Sequence, residues 1–200
     1  MAAVTWGIIG PGTIAHNFAD GLAQATSGRL VAIASRDAGR RATFGDAYAI
    51  AADKRYATYA DLLADPQIDA IYVSTPHPWH AELSIAALRA GKAVLCEKPG
   101  GLTASEVIAV TEVAAATHRF YMEAFMYRCH PQIARVLAVI AAGEIGQAWS
   151  AKVARSSAWR GGVAPGSGQA SESTPSGAPS LSRGTPSMRR QGAVCAVIGS

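Results

Sequence analysis

The 200-residue chain reads as an α/β protein built on a doubly wound parallel sheet, and three observations predict this. Short apolar runs alternate with helical patterns from Val4 to about Val153, which is the arrangement of βαβ units. The first run ends in a glycine-rich turn, Gly10-Pro-Gly12-Thr-Ile-Ala15, that leads straight into an amphipathic segment. Half of the residues are hydrophobic (50%), enough to bury a substantial core.

The elements follow in order. Strands are predicted over 4–9, 29–34, 70–74, 93–96 and 119–123, and helices over 13–25, 38–47, 59–64, 79–90, 103–116 and 131–142. In the first helix Ile14, Phe18 and Leu22 share a face at helical spacing. The helix over 103–116 has a clear start in Thr103-Ala-Ser-Glu106, a capping box. Val107, Val110 and Val113 then recur at helical spacing. Gly91 and Gly143 stand where two helices must stop, supplying the left-handed backbone that other residues resist.

Composition excludes several classes. No run approaches the roughly 20 apolar residues of a membrane span, and no basic segment precedes the first apolar run as in a signal peptide. Cys96, Cys129 and Cys195 are too scattered for a disulfide framework or a zinc site, so a cytoplasmic location with reduced thiols is expected. The net charge of +4 is unevenly placed. Residues 1–150 hold 12 Lys+Arg against 13 Asp+Glu, whereas residues 151–200 hold 6 against the single acid Glu172. The basic balance belongs to the tail, and no nucleic-acid partner is expected from it.

After about Arg155 the order is lost. Residues 151–200 contain 10 Ser, 8 Gly and 4 Pro, with hardly a large apolar residue between Val163 and Met188. Such a segment cannot offset the entropy of ordering it, and disorder is expected. Out-of-frame translation of GC-rich DNA has this composition, so a shifted reading frame or a false terminus is the expected origin. Composition therefore sets residues 154–200 apart as a low-complexity tail.

The glycine turn carries the first chemistry. Gly10 permits the tight turn, Gly12 lets the backbone approach a pyrophosphate, and Ala15 lets the helix pack closely on the strand. Exposed amides at Thr13 and Ile14, at the positive end of the helix, then hold the phosphates. Together these features make the sheet a Rossmann-type one and predict an NAD(P) cofactor. The end of the second strand reads Ala34-Ser35-Arg36-Asp37, with Ser35 where an NAD enzyme places a ribose-binding acid. Arg36 can pair with a 2′-phosphate and stack on adenine, and Arg40 and Arg41 add charge nearby. NADP is therefore expected. Asp37 stands as the alternative, an acid that would serve NAD.

Two further motifs complete a pattern. Ser74-Thr75-Pro76-His77-Pro-Trp-His80 follows the third predicted strand, and Cys96-Glu97-Lys98-Pro99 follows the fourth. With the glycine turn, these resemble the glucose-fructose oxidoreductase / inositol dehydrogenase (Gfo/Idh/MocA) family over about residues 4–153. The stretch Tyr121-Met-Glu123-Ala-Phe-Met-Tyr-Arg128-Cys-His130-Pro131 is similar to the branch of dihydrodiol and NADP-dependent xylose dehydrogenases. The resemblance implies hydride transfer between NADP and a CH–OH carbon of a sugar or diol. It implies that Lys98 is the catalytic lysine beside the nicotinamide and that Glu97 lies near the nicotinamide ribose. It places Thr75 and Pro76 against the nicotinamide half and His80 at the rim of the active site. Arg128 becomes either a substrate or nicotinamide contact or a tie at the interdomain hinge. His77 and His80 lack a third ligand of suitable spacing, and no metal is expected. The resemblance implies an NAD(P)-binding domain over 1–123 and the start of a second, α+β substrate domain over 124–153. Family members continue that second domain with a Gly-Gly-Gly…Asp…(Tyr or His) segment, which nothing here matches, so the expectation is an incomplete enzyme or a non-catalytic NADP-binding fragment. Full-length relatives of this kind form homo-oligomers, largely through that second domain.

Overall fold

The computed structural model describes residues 3–146. Six strands form one parallel sheet: β1 (Val4–Ile9), β2 (Gly28–Ala34), β3 (Arg55–Tyr56), β4 (Ala70–Val73), β5 (Ala93–Cys96) and β6 (Tyr121–Glu123). Their order across the sheet is β3-β2-β1-β4-β5-β6. The chain starts in the middle, winds outward to β3, then crosses back to β4 on the other side of β1. That reversal opens a crevice beyond the carboxyl ends of β1 and β4, where sheets of this kind bind ligands.

The helices are α1 (Thr13–Gln24), α2 (Ala38–Ala47), α3 (Tyr59–Ala64), α4 (His80–Arg89), α5 (Ala104–Thr117) and α6 (Pro131–Ala141). All eleven elements expected from the sequence are present, with ends displaced by two residues at most. The missed element is β3, two residues long and too short to produce a period-two pattern.

Strand residues alternate between two apolar layers. Ile8, Ile33, Tyr72 and Leu95 face Phe18 and Leu22 of α1 and Phe44 of α2. Ile9, Ile71, Val73 and Val94 face Leu62 and Leu63 of α3, Leu83 and Leu88 of α4, and Val110 of α5. A sheet covered on both faces needs such continuous apolar strands, which is why the runs read as unbroken rather than alternating. On α5 only Val110 is fully buried, and Ile108 on the outer side is exposed. The capping box forms in a variant way. Thr103 accepts the Glu106 amide, while Glu106 Oε2 accepts the amide of Leu102 at 2.6 Å, one residue before the cap. Gly91 and Gly143 follow their helices at φ +79° and +73°, as the sequence required.

Beneath the amino ends of β4 and β5 lies a polar knot that the sequence does not announce. Lys92 is 7% exposed and its Nζ donates to the carbonyls of Asp65 and Ile68 at 2.6 and 2.8 Å. Burial lowers the pKa of this ammonium. The buried Asp65 carboxylate accepts from Lys54 Nζ at 2.7 Å, Tyr56 Oη at 2.8 Å and the Gln67 amide at 2.9 Å. Burial works against its charge, yet these donors outweigh burial and hold its pKa below the ordinary carboxylate value. A depressed acid pKa stabilises the fold above the unfolded-state value, and the benefit is lost as pH falls through the folded value. Asp65→Asn is therefore expected to cost about 1–3 kcal/mol at neutral pH. Urea melts should show the gap to the parent closing below about pH 4. A gap independent of pH would overturn this assignment.

The two later divisions of the chain meet the description unequally. After β6 come a 3-10 turn over Met126–Cys129 and then α6, none of whose residues is buried. The expected low-complexity tail over 154–200, and most of the strand-like stretch over 144–153, lie outside the described residues.

Candidate functional site

The carboxyl ends of β1, β2 and β4 are pinned together by main-chain and hydroxyl contacts. The Gly10 amide donates to Ala34 O at 3.2 Å, tying the first turn to the end of β2. Ser74 Oγ donates to Gly10 O at 2.8 Å and reaches Ile9 O at 3.2 Å, tying the same turn to β4. Gly10 has φ +93°, and a Cβ there would stand 3.0 Å from both the amide nitrogen and Cγ2 of Thr75. Both the conformation and the space thus require glycine.

Gly12 differs in kind. A Cβ added to it would meet nothing within 4 Å, so open space lies over the turn. Gly12 is also the N-cap of α1 and offers no side chain to satisfy the first amides, which belong to Thr13 and Ile14. Ala15 behind it is fully buried in the layer shared by α1 and the sheet. An open, uncapped helix start at the switch point fits a pyrophosphate.

At the end of β2 the sequence left two residues competing for one role. Asp37 is engaged as the N-cap of α2: its Oδ1 accepts the Arg40 amide at 2.9 Å and its Oδ2 lies 3.8 Å from Arg40 Nε. Ser35 is buried, and its Oγ accepts the Asp37 amide at 3.2 Å. Arg41 donates to the Ser35 carbonyl. Arg36 is exposed, with its guanidinium 5.4 Å from the centre of the Tyr59 ring and 5.7 Å from that of Trp79. Both distances are within cation–π range. Tyr59 and Trp79 were not anticipated as site residues. Trp79, 44% exposed, lies inside the Thr75–His80 motif that the sequence marks, whereas nothing in the sequence marks Tyr59.

The ends of β4 and β5 bring the remaining motifs together. Thr75 is buried, and its Oγ1 has no hydrogen-bond partner among the described residues. An orphaned hydroxyl against the glycine turn fits a cofactor that supplies the missing partner. Pro76 is exposed beside it and begins the 3-10 turn His77–Trp79. His80 is fully buried, with Nε2 2.7 Å from Thr75 O and Nδ1 2.7 Å from Pro99 O. The Lys98–Pro99 bond is cis. Lys98 is exposed at the edge of the crevice and makes no ion pair among the described residues.

Glu97 turns inward. It is 9% exposed, and its Oε1 accepts from Tyr72 Oη at 2.6 Å while Oε2 lies 3.3 Å from the Lys98 amide. Burial and the neighbouring carboxylate push the Tyr72 phenol well above its ordinary pKa, so it remains a donor. Tyr72 itself stacks on Phe18 of α1 at 4.1 Å. Glu123 of β6 steadies the same loop from the other side, accepting the Gly100 amide at 2.6 Å. Tyr72 and Glu123 are supports that sequence reasoning missed, because a strand tyrosine and a strand glutamate carry no spacing signal. Burial pushes the Cys96 thiol up to about 12, in keeping with a small core side chain. Arg128 is exposed on the 3-10 turn after β6 and makes no ion pair among the described residues.

Among the described residues no group of three or more His, Cys, Asp or Glu side chains is placed to hold a metal ion, and no helix is long and apolar enough to cross a membrane. The arrangement offers an open, uncapped helix start at the end of β1, a cation at the end of β2 and an exposed ammonium at the end of β5.

Comparison with known proteins agrees with this geometry. Residues 4–125 match the family model described as an oxidoreductase family with NAD-binding Rossmann fold. The trans-1,2-dihydrobenzene-1,2-diol dehydrogenase of Mus musculus is 38% identical over 146 residues, covering 72% of this chain and 43% of that protein. The NADP-dependent D-xylose 1-dehydrogenase of Hypocrea jecorina is 40% identical over 151 residues, covering 70% of this chain and 39% of that protein. A mutant of a 3-ketoreductase from Actinomadura kijaniata, solved with TDP-benzene and NADP, superposes with a TM-score of 0.66 at 33% identity, over 73% of this chain and 46% of that one. This chain thus spans less than half the length of the relatives it matches. With its glycine turn, its strand order and more than half of its residues matched, the chain belongs to the Gfo/Idh/MocA family of oxidoreductases with the NAD-binding Rossmann fold.

Proposed function

We propose that the chain binds NADP and serves hydride transfer between that cofactor and a CH–OH carbon of a sugar or diol. The observation that carries the cofactor assignment is the engagement of Asp37 as a helix cap, which leaves Arg36 as the charged group at the end of β2. An acid committed to a backbone amide and an arginine is poorly placed to accept from ribose hydroxyls, and a guanidinium with no ion-pair partner among the described residues suits a 2′-phosphate. The likeness to an NADP-dependent xylose dehydrogenase and to a 3-ketoreductase solved with NADP supports the same reading.

When bound, the nicotinamide supplies the hydride acceptor or donor. Gly10, Gly12 and the Thr13 and Ile14 amides would hold the pyrophosphate, Ser35, Arg36 and Arg40 the adenosine end, and Thr75 and Pro76 the nicotinamide half. Lys98 would donate to the substrate oxygen, stabilise its developing negative charge and exchange its proton as the carbon changes oxidation state. Glu97, held by Tyr72, would fix the start of the loop on which Lys98 stands. Arg128 would contact substrate from the segment after β6. The likeness to a dihydrodiol and a xylose dehydrogenase supports a small polyol substrate.

Fluorescence titration with NADPH and NADH tests the cofactor half. NADPH is expected to bind more tightly, and Arg36→Ala to weaken it by about tenfold while sparing NADH, the loss of one charge-assisted contact. Equal affinities in the parent chain would overturn the NADP assignment. Tight NADPH binding without turnover of any sugar or diol would identify a nucleotide-binding unit without catalysis.

A further inference from the structure

On the side of the sheet away from α1 and α2, α4 and α5 pack side by side. Their outer surfaces differ. On α4, Ala81, Leu83, Ala87 and Leu88 are buried while Glu82, Ala86 and Arg89 are exposed at helical spacing, an ordinary amphipathic arrangement. On α5, Val107, Ile108, Ala109, Val110 and Val113 spread apolar surface over several sides, yet only Val110 is fully buried and Ile108 is 55% exposed. A helix apolar on so many sides belongs in an interior. Between the two helices runs an open groove of about 520 Å³, lined by Ile85, Ala86 and Ala109 and bordered on α4 by Glu82 and Arg89. Glu106 also borders it, with its carboxylate held by the Leu102 amide.

The two charges on α4 are opposite and lie seven residues apart, about 10 Å along the axis. Neither makes an ion pair among the described residues. Helix ends favour these signs by themselves, an acid in the first turn and a base in the last. That preference does not account for the apolar surface between and beside them. Glu82 stands three positions before Ile85, and Arg89 three positions after Ala86. A half-turn rotation about the point between Ile85 and Ala86 lays a second α4 antiparallel to the first. Glu82 of one protomer then faces Arg89 of its partner, twice over. Each α4 settles into the other's groove and covers the apolar side of α5.

We propose that this face is the contact between two copies of the chain, a two-fold dimer in which α4 pairs antiparallel with α4 and the Glu82–Arg89 pairs set the register. The occupant is a second copy because the charge pattern is self-complementary, as an isologous interface requires. The contact uses only the described Rossmann unit, unlike the second-domain contact that the resemblance implied, and it is independent of the cofactor reading.

Sedimentation equilibrium of the full chain across the micromolar range tests the pairing, and twice the chain mass is expected at its upper end. Glu82→Arg and Arg89→Glu each set like charges together at both contacts and should weaken the dimer by at least about tenfold. The double reversal restores opposite charges with the signs exchanged and should return much of the lost affinity. Ala86→Arg places a cation against its own copy across the axis and should leave monomers. All three positions are exposed, so each variant keeps its fold, which thermal melts verify. A parent chain that stays monomeric overturns the proposal. So does a dimer indifferent to both reversals and to Ala86→Arg, which would have formed through another face, such as the exposed apolar surface of α6. A double reversal as weak as either single one would show that Glu82 and Arg89 do not face each other, and overturns it as well.

Discussion

Lys98→Ala is expected to lower turnover of a sugar or diol substrate by about 10²–10⁴-fold, the range that a positioned proton donor contributes. The expectation follows from what surrounds the side chain. Lys98 is exposed at the carboxyl end of β5 and has no ion-pair partner among the described residues, so its ammonium is available to a substrate oxygen. Its loop is held from three directions, by Tyr72 through Glu97, by Glu123 through the Gly100 amide and by His80 through the Pro99 carbonyl. A group held this way loses little freedom when it meets the transition state. Because the effect belongs to the transition state, kcat should fall far more than NADPH affinity. Steady-state kinetics alongside NADPH titration separates the two. A variant with unchanged kcat would show that the proton moves elsewhere, and one that lost only NADPH affinity would reassign Lys98 to cofactor binding.

Much of this was legible in the sequence because the relevant physics is local. A glycine turn between a strand and an amphipathic helix can be seen in ten residues, and so can the Thr103–Glu106 cap. The apolar runs were long enough to give every strand except β3, whose two residues pair with β2 only because the chain is carried there by α2. What the sequence could not show was pairing across distance. Asp37 stood as the alternative to the NADP reading, and the sequence alone does not show whether its carboxylate caps α2 through the Arg40 amide. His80 begins α4 as expected, but nothing in Thr75-Pro-His-Pro-Trp-His80 tells that its ring reaches Pro99, 19 positions on. Tyr59 and Trp79 flank Arg36 from two different elements, a relation that no spacing rule encodes.

Gly10→Ala is expected to weaken NADPH binding by about ten- to a hundredfold, equivalent to the roughly 1–3 kcal/mol that a strained backbone costs. Two independent costs meet at this position. At φ +93° an alanine is strained regardless of space, and its Cβ would also stand 3.0 Å from Thr75 N and Cγ2. The cheaper escape is to shift one of the two loops, but each is tethered: Gly10 by Ala34 O and Ser74 Oγ, and Thr75 by His80. Relaxation must therefore open the crevice at the place where the pyrophosphate is proposed to lie. Gly12→Ala provides the contrast, because its Cβ meets nothing within 4 Å and its φ of −94° suits any residue. That variant should leave the free protein as stable as the parent and still lose NADPH affinity, since the added methyl occupies the open space over the turn. Thermal melts with and without NADPH distinguish the cases: Gly10→Ala lowers both, whereas Gly12→Ala lowers only the gain from the ligand. If Gly12→Ala kept the full ligand-induced gain, the open space over that turn would not be the phosphate cradle.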